Sequence, residues 1–268
     1  MYTDTHGYMK EFMSALRSVA YSYDTHTVFR DACRMFALAI RGQFTLAGND
    51  HDAIEEEYRA LSAKYGAKGT ETISHMFSYV VAALEATRQD FLGYVYEDLN
   101  ATVKNFGQYF TPNSLSRMMG RITFNGMKIV PGEIVTIGDP SCGAGALLIE
   151  GANEFVSIGG RQGDLLIYAE DLDATAANIA YVQLSMLGFA AVVTQMDSLA
   201  RIIYGGPWYT PGYFLHAMPM RLRSRQMAGK RQANKTEDPA PAAALAPEPQ
   251  PVAAPVQARE LVQQEFTF

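Results

Sequence analysis

The sequence is poor in several features, and each shortage closes off a class of protein. It has two cysteines in 268 residues, Cys33 and Cys142. They stand far apart with no paired Cys/His spacing, which supports neither a disulfide framework nor a zinc site. No apolar run approaches the ~18 residues that a membrane span needs, and the opening "MYTDTHGYMKEFM" lacks the basic start and apolar stretch of a secretory signal. The cytoplasm is the expected compartment. Lys and Arg total 22 against 28 Asp and Glu, a formal charge of −6. That argues against wholesale coating of nucleic acid, though a local basic patch can still bind phosphate. The five histidines are scattered and read as surface or core residues.

What is present suffices for a folded body. With 48% hydrophobic and 11% aromatic residues, the chain can bury a full core in one α/β domain, or in one domain plus a smaller helical one. Composition divides it into three parts. Residues 1–100 read as a helical N-terminal domain, with apolar residues at three- and four-residue steps in "YMKEFMSALRSVA", "DTHTVFRDACRMFALAI", "HDAIEEEYRALSAKY" and "ETISHMFSYVVAALEATRQDFLGYVYEDL". Asp24 and Asp50 stand where N-caps belong, and Gly42, Gly48 and Gly66 near helix ends. Residues 101–220 alternate strand-like runs, "EIVTIG", "LLIYAE" and "AAVVTQ", with helix-like "GALLIEGANEF" and "DATAANIAYVQLSMLG". That alternation implies parallel strands with crossover helices. Residues 221–268 begin with the basic "RLRSRQMAGKRQANK" and continue as "TEDPAPAAALAPEPQPVAAPVQ", which holds half of the chain's prolines. This tail has the composition of a disordered or extended segment.

The most informative stretch is "IVTIGDPSCGAGALLIEGANEF", Ile134 to Phe155. A turn that follows a parallel strand and opens a helix places backbone N–H groups at the carboxyl edge of the sheet, where ligands of open α/β sheets bind. Gly143 and Gly145 keep side chains away from such a ligand, but their spacing is not the G-x-G-x-x-G dinucleotide fingerprint. Asp139 at the strand end would repel a pyrophosphate and attract an ammonium. One strand over, Asp171 occupies the place from which a carboxylate accepts ribose hydroxyls, and Asp197 ends the third strand, where it can accept from an adenine amino group. Three carboxylates at three adjacent strand ends suit a ligand with an ammonium, a ribose and an adenine. S-adenosylmethionine is such a ligand.

Four motifs then line up in order: "GQYFTP" (Gly107 to Pro112), "DPSCGAGALLIEGA" (Asp139 to Ala152), "AEDLDATAANIAYVQLSMLG" (Ala169 to Gly188) and "MDSL". Together they resemble the cofactor motifs of the adenine-specific DNA methyltransferases, above all the modification subunits of type I restriction systems. "FLGYVYEDL" before them is similar to the segment joining the helical and catalytic domains in that family. The resemblance covers roughly Phe91 to Leu199. It implies an α/β fold in which the helical N-terminal region precedes a partial Rossmann-like methyltransferase sheet, with 101–220 as the cofactor domain, S-adenosylmethionine as cofactor, and DNA and partner subunits as partners. It further implies that Gln108, Tyr109, Phe110, Thr111, Pro112 and Asn113 fold over the methionine end of the cofactor. Thr111 also suits a helix cap and Pro112 a first helical position. Asp139, Ser141, Cys142, Gly143 and Gly145 would line the methionine and ribose side, Asp171 would hold the ribose and Asp197 the adenine.

One motif of the family is missing. Its catalytic element, an Asn or Asp followed by two prolines and an aromatic at the end of a fourth strand, accepts the hydrogens of the target amino group and stacks on the flipped base. The nearest stretch is "IIYGGPWYTP", where Gly205, Gly206, Pro207 and Trp208 would align with it, and Gly205 has no side chain to accept anything. This stretch also follows Asp197 too closely to leave much room for a crossover. Two function classes therefore stand: an adenine-specific DNA methyltransferase or subunit of one, and a catalytically silent partner-binding or regulatory module, of the sort a mobile element carries. Trp208 and Tyr209 have a second reading as core aromatics, Asp173 as a helix cap, and the basic run from Arg221 as a solvated hinge. The closing "LVQQEFTF", Leu261 to Phe268, carries apolar residues that a purely solubilising tail would not need, and is a candidate peptide for a protein partner.

Overall fold

A computed structural model describes residues 6–45, 49–100, 111, 113–130, 132–217 and 219. The expectations for residues 107–110 and 112, for the basic run from Arg221 and for the tail to Phe268 lie outside them.

The helical region forms because its apolar residues recur on one face. Helix α1, Tyr8–Val19, buries Phe12, Met13 and Leu16. Helix α2, Thr25–Phe44, starts at the expected cap, where the Asp24 carboxylate accepts the Thr27 N–H at 2.9 Å. Asp50, by contrast, lies inside the first turn of α3, Asn49–Ala86, rather than before it. Gly66 breaks α3 into two stretches with a left-handed φ of 65°, a conformation glycine adopts without penalty. The long "ETISHMF…YEDL" pattern is also not one helix. It stops at Ala86, and α4, Phe91–Asn100, begins after Asp90, whose carboxylate accepts the Gly93 N–H at 2.8 Å.

Helix α5, Asn113–Phe124, precedes a sheet of four strands: β1 Val135–Asp139, β2 Leu165–Asp171, β3 Ala190–Asp197 and β4 Ile202–Tyr209. The order is β1-β2-β3-β4. The first three are parallel, joined by α6, Ala146–Ser157, and α7, Ala174–Met186. β4 instead returns antiparallel beside β3, with Asp197 opposite Ile202 and Val192 opposite Tyr209. The fold is thus α/β, a helical region followed by a mixed sheet.

The two regions share one core. Phe12, Phe29 and Phe91 of the helical part belong to the same buried cluster as Leu148, Ile167 and Phe189 of the α/β part. Helix α7 is buried on every side because it lies between them: Ala176, Ile179, Ala180, Tyr181, Val182 and Leu184 are all buried, and so are the polar Asn178 and Gln183. The opposite face of the sheet carries Leu166, Ala190 and Val192, packed with Ala217 of a short π-helical turn, Tyr213–Ala217. Among the described residues no helix is long and apolar enough to cross a membrane.

Candidate functional site

The carboxyl ends of β1, β2 and β3 bring Asp139, Asp171 and Asp197 to one edge of the sheet, as the alternation of elements implied. The turn between β1 and α6 is tied to that edge through its backbone. The Cys142 N–H donates to the Glu170 carbonyl at 2.8 Å, and the Gly143 N–H donates to Asp171 Oδ2 at 2.7 Å. The other oxygen of Asp171 accepts the Asp173 N–H at 2.9 Å. Each oxygen therefore keeps a free lone-pair direction for a further donor. Asp139 accepts the N–H of Ser141 at 3.0 Å, and Asp197 that of Ala200 at 2.8 Å. Among the described residues none of these three carboxylates has a salt-bridge partner, so the edge carries unmatched negative charge.

The turn needs its glycines for backbone reasons. Gly143 and Gly145 have φ of 54° and 93°, and the second of these sets the start of α6. A Cβ on Gly145 would meet only Ala180, its Cβ at 3.6 Å and its Cα at 3.8 Å, both ordinary contacts, so the requirement there is conformational rather than steric.

Cys142, expected to line the methionine and ribose side, stands in the turn between β1 and α6. It is buried, its Sγ–H donates to the Gly143 carbonyl, and burial together with the nearby Asp171 and Asp139 holds the thiol pKa well above its ordinary value. What Cys142 offers the edge is backbone, and its thiol is no nucleophile.

Gly205, Pro207 and Trp208 are not brought to this edge. They lie within β4, whose first residues, not its last, pair at the carboxyl end of β3: Trp208 stands opposite Val193. The physical reason is the short link after Asp197, which permits a hairpin return but no crossover. Trp208 packs edge-on against Tyr181, with ring centroids 5.2 Å apart, and joins the core. Asp173 is the N-cap of α7, accepting the Thr175 N–H at 2.6 Å.

Thr111 comes beside Ala146 at the start of α6 and beside Asp90, Gly93 and Glu97 of the α4 region. Asn113 opens α5. Residues not singled out from the sequence complete this neighbourhood. Gln183, fully buried on α7, donates to Asp90 Oδ1 at 2.7 Å and to the Ala144 carbonyl at 3.0 Å, while its own oxygen accepts the Leu92 N–H at 2.9 Å. It thereby fastens α4 to the glycine turn. Burial pushes the Asp90 carboxyl up to about 6, with the Gln183 and Gly93 bonds opposing. At the strand ends, the Ser198 hydroxyl donates to the Pro140 carbonyl at 2.8 Å and lies 3.1 Å from Glu170 Oε2, joining all three strand termini. Its place directly after Asp197 in "MDSL" was the available signal; Gln183 looks like any polar residue of a helix.

Residues 87–201 match the N-6 DNA Methylase family model. The similarity to adenine-specific DNA methyltransferases holds over that span. No curated protein matches the chain. Among solved structures, a candidate class I S-adenosylmethionine-dependent methyltransferase from Listeria monocytogenes aligns with 14% identity and a TM-score of 0.44, covering 74% of this chain and 56% of that one. A type I restriction-modification methyltransferase subunit from Streptococcus thermophilus aligns with 14% identity and a TM-score of 0.39, covering 69% of this chain and 56% of that one. The chain thus spans little more than half the length of these two structures.

Proposed function

We propose, from the match of residues 87–201 to the N-6 DNA Methylase family, that this chain binds S-adenosylmethionine at the carboxyl edge of β1 to β3 and transfers no methyl group by itself. One observation carries the cofactor reading. Three carboxylates, on Asp139, Asp171 and Asp197, end three successive parallel strands around a turn whose amides are already fixed.

The residues fit the cofactor. Asp139, without a cationic partner among the described residues, attracts an ammonium. Asp171 retains acceptor capacity on both oxygens for paired ribose hydroxyls. Asp197 serves an adenine amino group, and Ser141, Gly143 and Gly145 leave room along the turn. Thr111 and Asn113, with residues 108–110 and 112, would close over the methionine end. Bound there, S-adenosylmethionine supplies a methyl group on a sulfonium centre.

The silent reading rests on β4. An amino nitrogen conjugated with a ring needs its hydrogens accepted by a fixed polar group. The segment aligned with that role has glycines at 205 and 206 and runs away from the cofactor edge. The substrate class implied by the family is adenine in DNA. Catalysis would then require partner subunits, and the chain alone would be a cofactor-binding or regulatory module of a cytoplasmic restriction-modification system. Leu261 to Phe268 would be a peptide for a protein partner.

Calorimetry with S-adenosylmethionine and, separately, labelled methyl transfer to unmethylated DNA test the two parts. Binding heat without transfer is expected. Absence of heat would remove the cofactor reading, and robust transfer by the chain alone would remove the silent one.

A further inference from the structure

A second concavity lies beyond β3, walled by α2, the start of α7, β3 and β4. Its volume is about 340 Å³, within the range of small-molecule pockets. None of the carboxylates of Asp139, Asp171 and Asp197 lines it.

Two cations dominate it, and they differ. The guanidinium carbons of Arg34 and Arg41 lie 4.7 and 4.5 Å from the centroid of the Trp208 ring. Arg34 is matched: its Nε and Nη2 donate to the two oxygens of Glu57 at 2.7 and 2.6 Å, and its Nη1 donates to Asn178 Oδ1 at 3.3 Å. Arg41 is not matched, for no carboxylate among the described residues lies within salt-bridge distance of it. Burial lowers its pKa, the neighbouring Arg34 adds to the effect, and Tyr181, Asp50 and Glu57 offset only part of it. A half-buried guanidinium without a counter-ion is costly unless something supplies one.

The rest of the wall offers neutral polar groups. Gln195 and Tyr204 contribute an amide and a phenol. Opposite Gln195 the β3–β4 ladder is irregular: Thr194 pairs with Pro207 and Met196 with Ile203, so three residues of β4 face one of β3. This bulge takes the backbone of Gly205 and Gly206 out of the regular ladder and beside the cavity. Both have positive φ, 80° and 84°, and nothing lies within 4 Å of a Cβ built on either. Glycine is needed there for the backbone conformation. Ala174, Ala177 and Val193 give the floor an apolar part.

Arg, Asn, Gln, Tyr and backbone N–H groups are the donors that proteins aim at phosphate oxygens. We propose that this cavity is a phosphate site in which Arg41 supplies the pairing cation, its ligand a phosphate monoester or the backbone phosphate of a nucleic acid. The site is independent of the cofactor reading, since it stands or falls without Asp171.

Trp208 is the chain's single tryptophan, so its emission reports on this wall directly. The full chain is titrated with ribose 5-phosphate and, separately, with a short DNA duplex, both at fixed ionic strength. A saturable change in Trp208 emission is expected. Arg41→Gln should weaken it about tenfold or more, the loss of a charge-assisted pair, and Arg41→Lys should weaken it less. Arg59→Gln, an equal charge change on the exposed face of α3, should leave it unaltered. Saturation by ribose 5-phosphate identifies a free monoester, and saturation by the duplex alone identifies the backbone. Circular dichroism establishes that each variant is folded. If Arg41→Gln does not fold, Arg41→Lys and competition by inorganic phosphate against chloride on the unmutated chain decide. No saturable change with either probe, an unaltered response in Arg41→Gln, or equal saturation by succinate would overturn the proposal.

Discussion

The N–H of Gly143 donates to Oδ2 of Asp171 at 2.7 Å, so the turn after the first strand is held by the acid that ends the second. The carboxylate that should receive a ribose is also the clamp that shapes the glycine turn. Asp171→Ala is therefore expected to act twice. It removes acceptors for two backbone N–H groups, at a cost of about 1–3 kcal/mol in stability, read from the urea midpoint. It should also weaken S-adenosylmethionine by about ten- to a hundredfold in calorimetry. An unchanged midpoint would mean that water replaces both bonds without loss.

Asp90 should give the protein a pH dependence of unusual sign. Its folded pKa, about 6, lies above the ordinary 3.8 because the carboxyl is buried. Between these values the folded state binds more protons than the unfolded state, so this group's contribution falls as pH rises and is fully lost above about 6, on the order of 3 kcal/mol. Both N–H donors, from Gly93 and Gln183, land on Oδ1, which Asp90→Asn keeps. That variant should be more stable than the unmutated chain at about pH 7 and indistinguishable from it at about pH 3, below both values. Denaturation curves at the two pH values give the difference directly, and an equal difference at both would refute the account.

Gly145→Ala isolates backbone strain in the candidate site. Space exists for the methyl group, so the expected loss of about 1–3 kcal/mol comes from the left-handed φ of 93° alone. A thermal melt measures it, and a loss well above that range would indicate a displaced helix instead.

Both thiols should be inert in the folded protein. Cys33 and Cys142 are buried, and burial raises the pKa of each. Ellman's reagent should react with neither under native conditions and with both in denaturant. Fast native labelling of Cys142 would show that the turn opens.

Much of this arrangement was legible in the residues. The runs "LLIYAE" and "AAVVTQ" are strands because their alternate residues pack on both faces, and Asp171 and Asp197 fell at strand ends because acids do not continue a buried strand. Asp24 and Asp173 cap helices through the local bond that aspartate forms with an N–H two or three residues on. The direction of β4 was less accessible. Its pattern "IIYGGPWY" has no alternation that separates parallel from antiparallel, and only the brevity of the link after Asp197 pointed to a hairpin. The Arg34–Trp208–Arg41 stack was invisible, since Trp208 is more than 160 residues from either arginine and meets them only through tertiary packing. Gln183 was hidden for the same reason: its three partners lie on Asp90, Leu92 and Ala144.

Helix α7 is buried without a break from Thr175 to Ser185, being enclosed by the sheet below and the N-terminal helices above. Such a helix gains nothing from forming early, because either half of its surface would remain in water until the other layer arrives. Its formation must coincide with the docking of segments separated by more than 140 residues, as the Arg34 to Asn178 bond spans, so the chain pays loop closure before long-range contacts reward it. The described residues should accordingly melt in a single cooperative step and refold slowly for their helix content. A fragment cut near residue 100 would leave α7 with an oily flank and draw the pieces into aggregates.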